Sequence, residues 1–215
     1  MVGATITGTE RRGKYLWLIL DGEDALLAHL GMSGQMLITS PDVPVAAHER
    51  ARFTFTDGGH DLRFDDQRTF GHLMYDEGGA VLPSPIAHIA RDPFDPLFDQ
   101  SAVVERIKSK RTSIKRVLLD QRVVSGFGNI YADEALWAAK VHGETAASSL
   151  SKPRISALID AAREVMDAAL VQGGTSFDSL YVDVAGSSGY FARSLNAYGR
   201  AGRPCRRCET PIVRE

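Results

Sequence analysis

Apolar positions in this chain change period part-way along it. In the first third they fall in short runs or alternate. Lys14 to Leu20 is an apolar run with aromatic members, and Arg52-Phe53-Thr54-Phe55-Thr56 alternates with period two, so both predict strands. Asp57-Gly58-Gly59 then turns into Leu62-Arg63-Phe64, a hairpin partner. A stretch spaced by Pro83, Pro85, Pro93 and Pro96 follows and reads as an interdomain linker. Beyond it the period is helical. Ile155, Leu158, Ile159, Ala162, Val165, Met166, Ala169 and Leu170 recur at spacings of three and four, with Ser151 as N-cap and Gly173 just past the end. Shorter helices are expected after Thr112 and after Asn129. No internal repeat is evident.

Composition adds exclusions. The 215 residues are 44% hydrophobic and 24% charged, ordinary for a folded protein and enough for two modest domains. No apolar run is long enough for a membrane span and no secretory leader opens the chain, so a cytoplasmic protein without membrane association is expected. Cys205 and Cys208 are the only cysteines, which excludes a disulfide framework.

The net charge of −2 conceals a polarised chain. Glu105 to Arg122 holds seven basic residues against two acids, a net of +5, and Arg193 to Glu215 holds six arginines against two acids, a net of +4. Asp57 to Asp99 carries nine acids against three arginines, a net of −6. An anionic polymer therefore stays in play as a partner, although charge alone reads equally well as solvated helix faces.

Three segments could carry chemistry. In Gly126-Phe127-Gly128-Asn129 the glycines allow close approach to a ligand, and Asn129 stands where an N-cap belongs. A helix N-terminus flanked by Lys110, Arg111 and Lys115 suits a phosphate, while spacing alone also fits a plain connection between packed helices. Leu30-Gly31-Met32-Ser33-Gly34 and Gln67-Arg68-Thr69-Phe70 present side chains able to wedge between base pairs, or to fill a core. Cys205-Arg206-Arg207-Cys208 is half of a zinc ribbon, and without a second pair its spacing alone favours two reduced thiols.

Taken in order, several segments resemble the formamidopyrimidine-DNA glycosylase and endonuclease VIII family of base-excision repair, its formamidopyrimidine branch with actinobacterial-like detail. They are Arg11-Arg12-Gly13-Lys14-Tyr15-Leu16, His29-Leu30-Gly31-Met32-Ser33-Gly34, Asp66-Gln67-Arg68-Thr69-Phe70-Gly71, Leu119-Asp120-Gln121, Gly126 to Ala132, Gly173-Gly174-Thr175-Ser176, Tyr198-Gly199-Arg200 and Pro204 to Cys208.

The resemblance implies an α+β fold. Its parts would be a β-sandwich domain over 1–82, a linker over 83–97, a helix-two-turn-helix domain over 98–192 and a partial zinc finger over 193–215. The resemblance makes Lys14 the proton donor of β-elimination, and His48, Arg68, Lys110 and Asn129 contacts to DNA. Met32, Arg68 and Phe70 would fill the gap left by an extruded base. Residues 173–190 would hold the loop that closes over an oxidised purine. Cys205 and Cys208 would be the first two of four ligands to one structural zinc ion. The partner would be damaged double-stranded DNA, the protein a monomer in a bacterial cytoplasm, and the reaction excision of 8-oxoguanine or formamidopyrimidine followed by strand cleavage.

The family's mature chains open with a proline nucleophile and a glutamate. This one opens Met1-Val2-Gly3-Ala4, which matches an interior stretch, so the chain reads as truncated at both ends and inactive as written. Glu209 stands where a glycine usually follows the second cysteine. A non-catalytic remnant that binds damaged DNA, or a product unable to fold stably, are the alternatives.

Overall fold

The computed structural model describes residues 1–174 and 191–214. Seven strands come first: β1 (Ile6–Arg12), β2 (Tyr15–Leu20), β3 (Ala25–His29), β4 (Gly34–Thr39), β5 (Glu49–Phe53), β6 (Asp61–Asp66) and β7 (His72–Asp76). Four helices follow: α1 (Gln100–Lys108), α2 (Ile114–Leu119), α3 (Asn129–Ala138) and α4 (Lys152–Val171). The α+β class that the resemblance implies holds. The chain forms two compact units, Met1–Ala87 with Ala169–Ala192, and His88–Ala168 with Arg193–Glu215.

The first unit is built on two antiparallel sheets, ordered β1-β2-β3-β7 and β4-β6-β5. The apolar run that predicts β2 buries Trp17, Leu18 and Leu20, joined by Leu26 and Leu27 of β3 and by Met36 and Phe64 of the smaller sheet. Trp17 satisfies its indole N–H on the Ala80 carbonyl at 2.9 Å. The expected hairpin is present, β5 pairing with β6 and Phe53 facing Leu62. Its first strand ends at Phe53, so the alternation through Thr56 outruns the ladder.

In the second unit Ile107, Ile114, Leu118, Phe127, Ile155, Leu158 and Ile159 form a continuous apolar core. The predicted long helix is α4. Its end is fixed locally: Gly173, at φ +73°, donates to the Leu170 carbonyl, and Gly174 donates to that of Ala169, a Schellman stop. The apolar pattern gave no sign of α1, whose stripe of Val103, Val104 and Ile107 is too short to stand out. Asp99 starts it by accepting the Ala102 N–H at 3.0 Å. The proline-spaced stretch is packed, with Ile86, Ile89 and Asp92 buried.

Leu158 is wholly enclosed. Leu158→Ala is expected to lower unfolding stability by about 2–5 kcal/mol in urea titration.

Candidate nucleic-acid interface

Lys14 sits at the tip of the β1–β2 hairpin, where Arg12 pairs with Tyr15 and Gly13 takes the left-handed conformation at φ +58°. It reaches solvent, yet the protein packed around its ammonium lowers its pKa below the ordinary lysine value. The strand register then lays three rings side by side. Tyr15 of β2 lies opposite His29 of β3, which lies opposite His72 of β7. Ring centroids are 4.6 Å apart for Tyr15 and His29 and 5.5 Å for His29 and His72. The Gly31 N–H donates to His29 Nδ1 at 3.2 Å, which leaves Nε2 to carry the proton of the neutral ring. Burial, then the charges of His72 and Lys14, lower the His29 pKa and hold that neutral form. Neither histidine was singled out from the sequence, because only strand pairing makes them neighbours.

The two turns that carry the candidate wedge meet at one carboxylate. Asp66 ends β6 and is 1% exposed. Its Oδ1 accepts the Ser33 hydroxyl at 2.6 Å and the Arg68 N–H at 3.3 Å, while Oδ2 accepts the Gly71 N–H at 2.8 Å. Ser33 Oγ in turn accepts the Arg68 N–H at 3.1 Å. Burial would raise the Asp66 pKa, but the bonds from Ser33 and from the Gly71, Arg68 and Thr69 amides outweigh it and lower the value.

The turns also interlock sterically. A Cβ on Gly31, whose φ is +61°, would lie 2.6 Å from the Phe70 carbonyl carbon, and one on Gly71 would lie 2.9 Å from the His29 carbonyl oxygen. From this locked backbone Met32 and Phe70 project 52% and 61% exposed, beside an exposed Arg68.

His48 is half-buried, and its carbonyl accepts the Asp66 N–H at 2.9 Å. The loop before it is tied by the buried Arg63, which donates to the carbonyls of Ser40, Val43 and Pro44 and pairs with Glu49 at 3.3 Å. The structure thus draws Met32, Arg68, Phe70 and His48 around Asp66, with Lys14 on a separate hairpin of the same unit.

The second unit carries Lys110, Asn129 and the cysteines. Gly128 is the N-cap of α3 and Asn129 its first residue, one position later than the sequence placed it. The extended backbone at Gly128 makes that glycine the entry to the helix, and Asn129 stays exposed at its start. The Gln121 side chain ties the connection, accepting from Gly126 N–H at 3.0 Å and donating to the Phe127 carbonyl at 2.9 Å. The expected basic cluster is thinner than its charge count. Lys115 pairs with Asp133 at 2.7 Å, and the Lys108 ammonium is consumed by the Ser148 and Leu150 carbonyls. Lys110 is half-buried and Arg111 exposed. A groove of about 860 Å³ runs beside Asn129, lined among others by Lys115, Trp137, His142 and Tyr198.

Helix α3 also holds the C-terminal segment. Glu134, buried at 3%, accepts the N–H groups of Asn196, Ala197 and Tyr198 at 2.7–2.9 Å. Trp137 donates its indole N–H to Cys205 Sγ at 3.4 Å, and the Arg207 guanidinium lies 4.1 Å from the Trp137 ring centre. Residues 203–212 form a tight hairpin through Cys205 N–H to Thr210 and Ile212 N–H to Arg203. Sulfur donors in such a knuckle suit zinc. Among the described residues no three His, Cys, Asp or Glu side chains converge on a metal position, and Cys205 and Cys208 supply half a tetrahedral set. The Trp137 hydrogen bond, then the Arg207 and Cys208 amides, lower the Cys205 pKa to about 6. Most of the loop expected over 173–190 lies outside the described residues. Among those described, no helix is long and apolar enough to cross a membrane.

Two outcomes follow from these environments. The Asp66 pKa is depressed in the folded state, so its stabilisation is present above the unfolded value near 3.8 and is lost as pH falls through the folded one. Acidification should therefore lower the urea midpoint of the wild type more steeply than that of Asp66→Asn, and parallel curves would contradict this. Alkylation of Cys205 by iodoacetamide should rise with a midpoint near pH 6 and shift upward in Trp137→Phe, read by mass spectrometry.

Comparison with known proteins places the chain in a family. Family models match residues 1–73 as the formamidopyrimidine-DNA glycosylase N-terminal domain and residues 89–180 as the formamidopyrimidine-DNA glycosylase H2TH domain. The chain is 56% identical over 215 residues to a formamidopyrimidine-DNA glycosylase of Salinispora arenicola, spanning all of this chain and 75% of that protein. It is 59% identical over 220 residues to one of Mycobacterium avium, spanning 77% of it. Among solved structures, Lactococcus lactis Fpg complexed with DNA containing an abasic site superposes with a TM-score of 0.84 at 33% identity, over 98% of this chain and 76% of that one. MutM (Fpg) from Thermus thermophilus gives 0.86 at 33% identity, over 99% and 78%. With both family domains matched in order and relatives this similar, the chain belongs to the formamidopyrimidine-DNA glycosylase family of DNA-repair glycosylases and AP lyases.

Proposed function

We propose that these residues form the duplex-binding body of a base-excision enzyme for oxidised purines, 8-oxoguanine and formamidopyrimidine, in double-stranded DNA. The observation that carries this reading is the pair of interlocked turns that hold Met32, Arg68 and Phe70 exposed above the buried Asp66. Large apolar side chains on a locked backbone suit insertion into a base stack. Such insertion offsets the cost of turning a nucleotide out, about a few kcal/mol. Solved Lactococcus lactis Fpg structures include complexes with DNA containing an abasic site or Fapy-dG, which supports the same partner here.

In this reading Lys14 and the Nε2–H of His29 bind the phosphate beside the extruded nucleotide, Asn129 and Lys110 bind a second stretch of backbone, and His48 adds a contact beside the wedge. The lowered Lys14 pKa also eases release of a proton to the eliminated oxygen, the role the resemblance implies. Cys205 and Cys208 would hold two sides of a structural zinc ion. The covalent step needs a secondary amine and a carboxylate that the resemblance places before Lys14. Lys14 and His29 lie in the described residues and serve the phosphate and proton-transfer side of that step.

An 8-oxoguanine duplex should be bound in preference to its undamaged counterpart, and equal affinity for the two would overturn the lesion reading. Binding to the same duplex should weaken with salt at a log–log slope of roughly 0.9 for each neutralised phosphate, reduced by about one unit in Lys14→Ala. Salt-independent binding would remove DNA as the partner.

A further inference from the structure

We infer that Asp66 and Ser33 are positioning residues that fuse the two probe turns into one preassembled wedge, so that Met32, Arg68 and Phe70 enter a damaged duplex as a unit. The inference rests on the wedge reading above and adds to it the means by which the side chains are held.

A side chain on a free turn must be ordered when it enters a base stack, and that conformational entropy is subtracted from affinity. Here the ordering is already done. The Ser33 hydroxyl, in the turn bearing Met32, donates to Asp66 and accepts from the Arg68 N–H, and so bridges the two turns directly. Asp66 spans the second turn from Arg68 N–H to Gly71 N–H. Glycines at 31 and 71 let the backbones touch, and any Cβ there would force them apart. Burial divides sharply along the chain: Ser33 and Asp66 are enclosed, while the side chains they set are exposed. A carboxylate with its acceptor sites filled by two turns resists removal of any one donor, because the remaining buried charge is left undersatisfied. Thr69, held at φ +57° inside the second turn, is a strained conformation kept in place by these same bonds.

The test uses the 215-residue chain and a duplex carrying a tetrahydrofuran abasic analogue, compared with its undamaged counterpart, with 2-aminopurine opposite the gap to report insertion. Ser33→Ala and Asp66→Asn are expected to lower the abasic-to-undamaged affinity ratio by roughly tenfold, with the fluorescence response, while the salt slope set by Lys14 and Lys110 is kept. Met32→Ala and Phe70→Ala should couple in the wild type and become additive in the Ser33→Ala background, which a purely stabilising role would not produce. A wild-type ratio in both Ser33→Ala and Asp66→Asn overturns the inference, as does a Met32–Phe70 coupling that survives Ser33→Ala. An unchanged ratio in Met32→Ala and Phe70→Ala overturns the wedge reading itself. Should Asp66→Asn not melt cooperatively, Ser33→Ala decides alone.

Discussion

The buried carboxylate of Asp66 is the constraint on which the proposed DNA-binding face of the first unit depends. Its side chain collects the Ser33 hydroxyl and the Arg68 and Gly71 amides, its N–H donates to His48, and its carbonyl accepts Arg50 Nε at 2.9 Å. Three stretches distant in sequence are therefore set by one residue at the end of one strand. A buried carboxylate is costly unless its lone pairs are filled, at about 1–3 kcal/mol for each bond left unmade. That cost makes the arrangement close to all-or-none. The position of β6 in the middle of its sheet, paired on both sides, gives the residue a rigid base.

Arg63 repeats the logic on the same strand. A guanidinium offers several donors in a fixed fork, and here the fork takes three loop carbonyls and a carboxylate. The β4–β5 loop is thereby held by one side chain in place of a core of its own. In the second unit the carboxylate is Glu134 and the captured groups are successive amides. Buried polar side chains thus hold loops whose own apolar residues, Val43 and Val45 among them, stay exposed.

What could be read from the chain follows from whether a contact is local. The 3.6-residue stripe from Ile155 to Leu170 and its glycine stop are properties of consecutive residues, and they predicted α4 and its end. The β5–β6 hairpin was legible for the same reason. Helix α1 was not, since one turn of apolar residues after a proline-rich stretch is too little signal. Asn129 was misplaced by one position because asparagine and glycine both suit an N-cap. The row of Tyr15, His29 and His72 depends on the register of three strands, and the pairing of Lys115 with Asp133 joins two helices, so neither shows in spacing. For Met32 and Phe70 the residue pattern left both wedge and core open, and only family motifs favour the wedge that is proposed for them. What the motifs could not reveal is Asp66 as the common support, because its partners lie up to 33 residues away.

The grip of Glu134 on residues 196–198 has a consequence for how the C-terminal hairpin is attached. A run of amides held by a carboxylate on a helix forms with folding and asks nothing of sulfur or metal. The hairpin is therefore moored at its base by Glu134 and at its knuckle by Trp137, through Cys205 Sγ and the Arg207 guanidinium. Both attachments come from α3, so the placement of the segment is written into that helix.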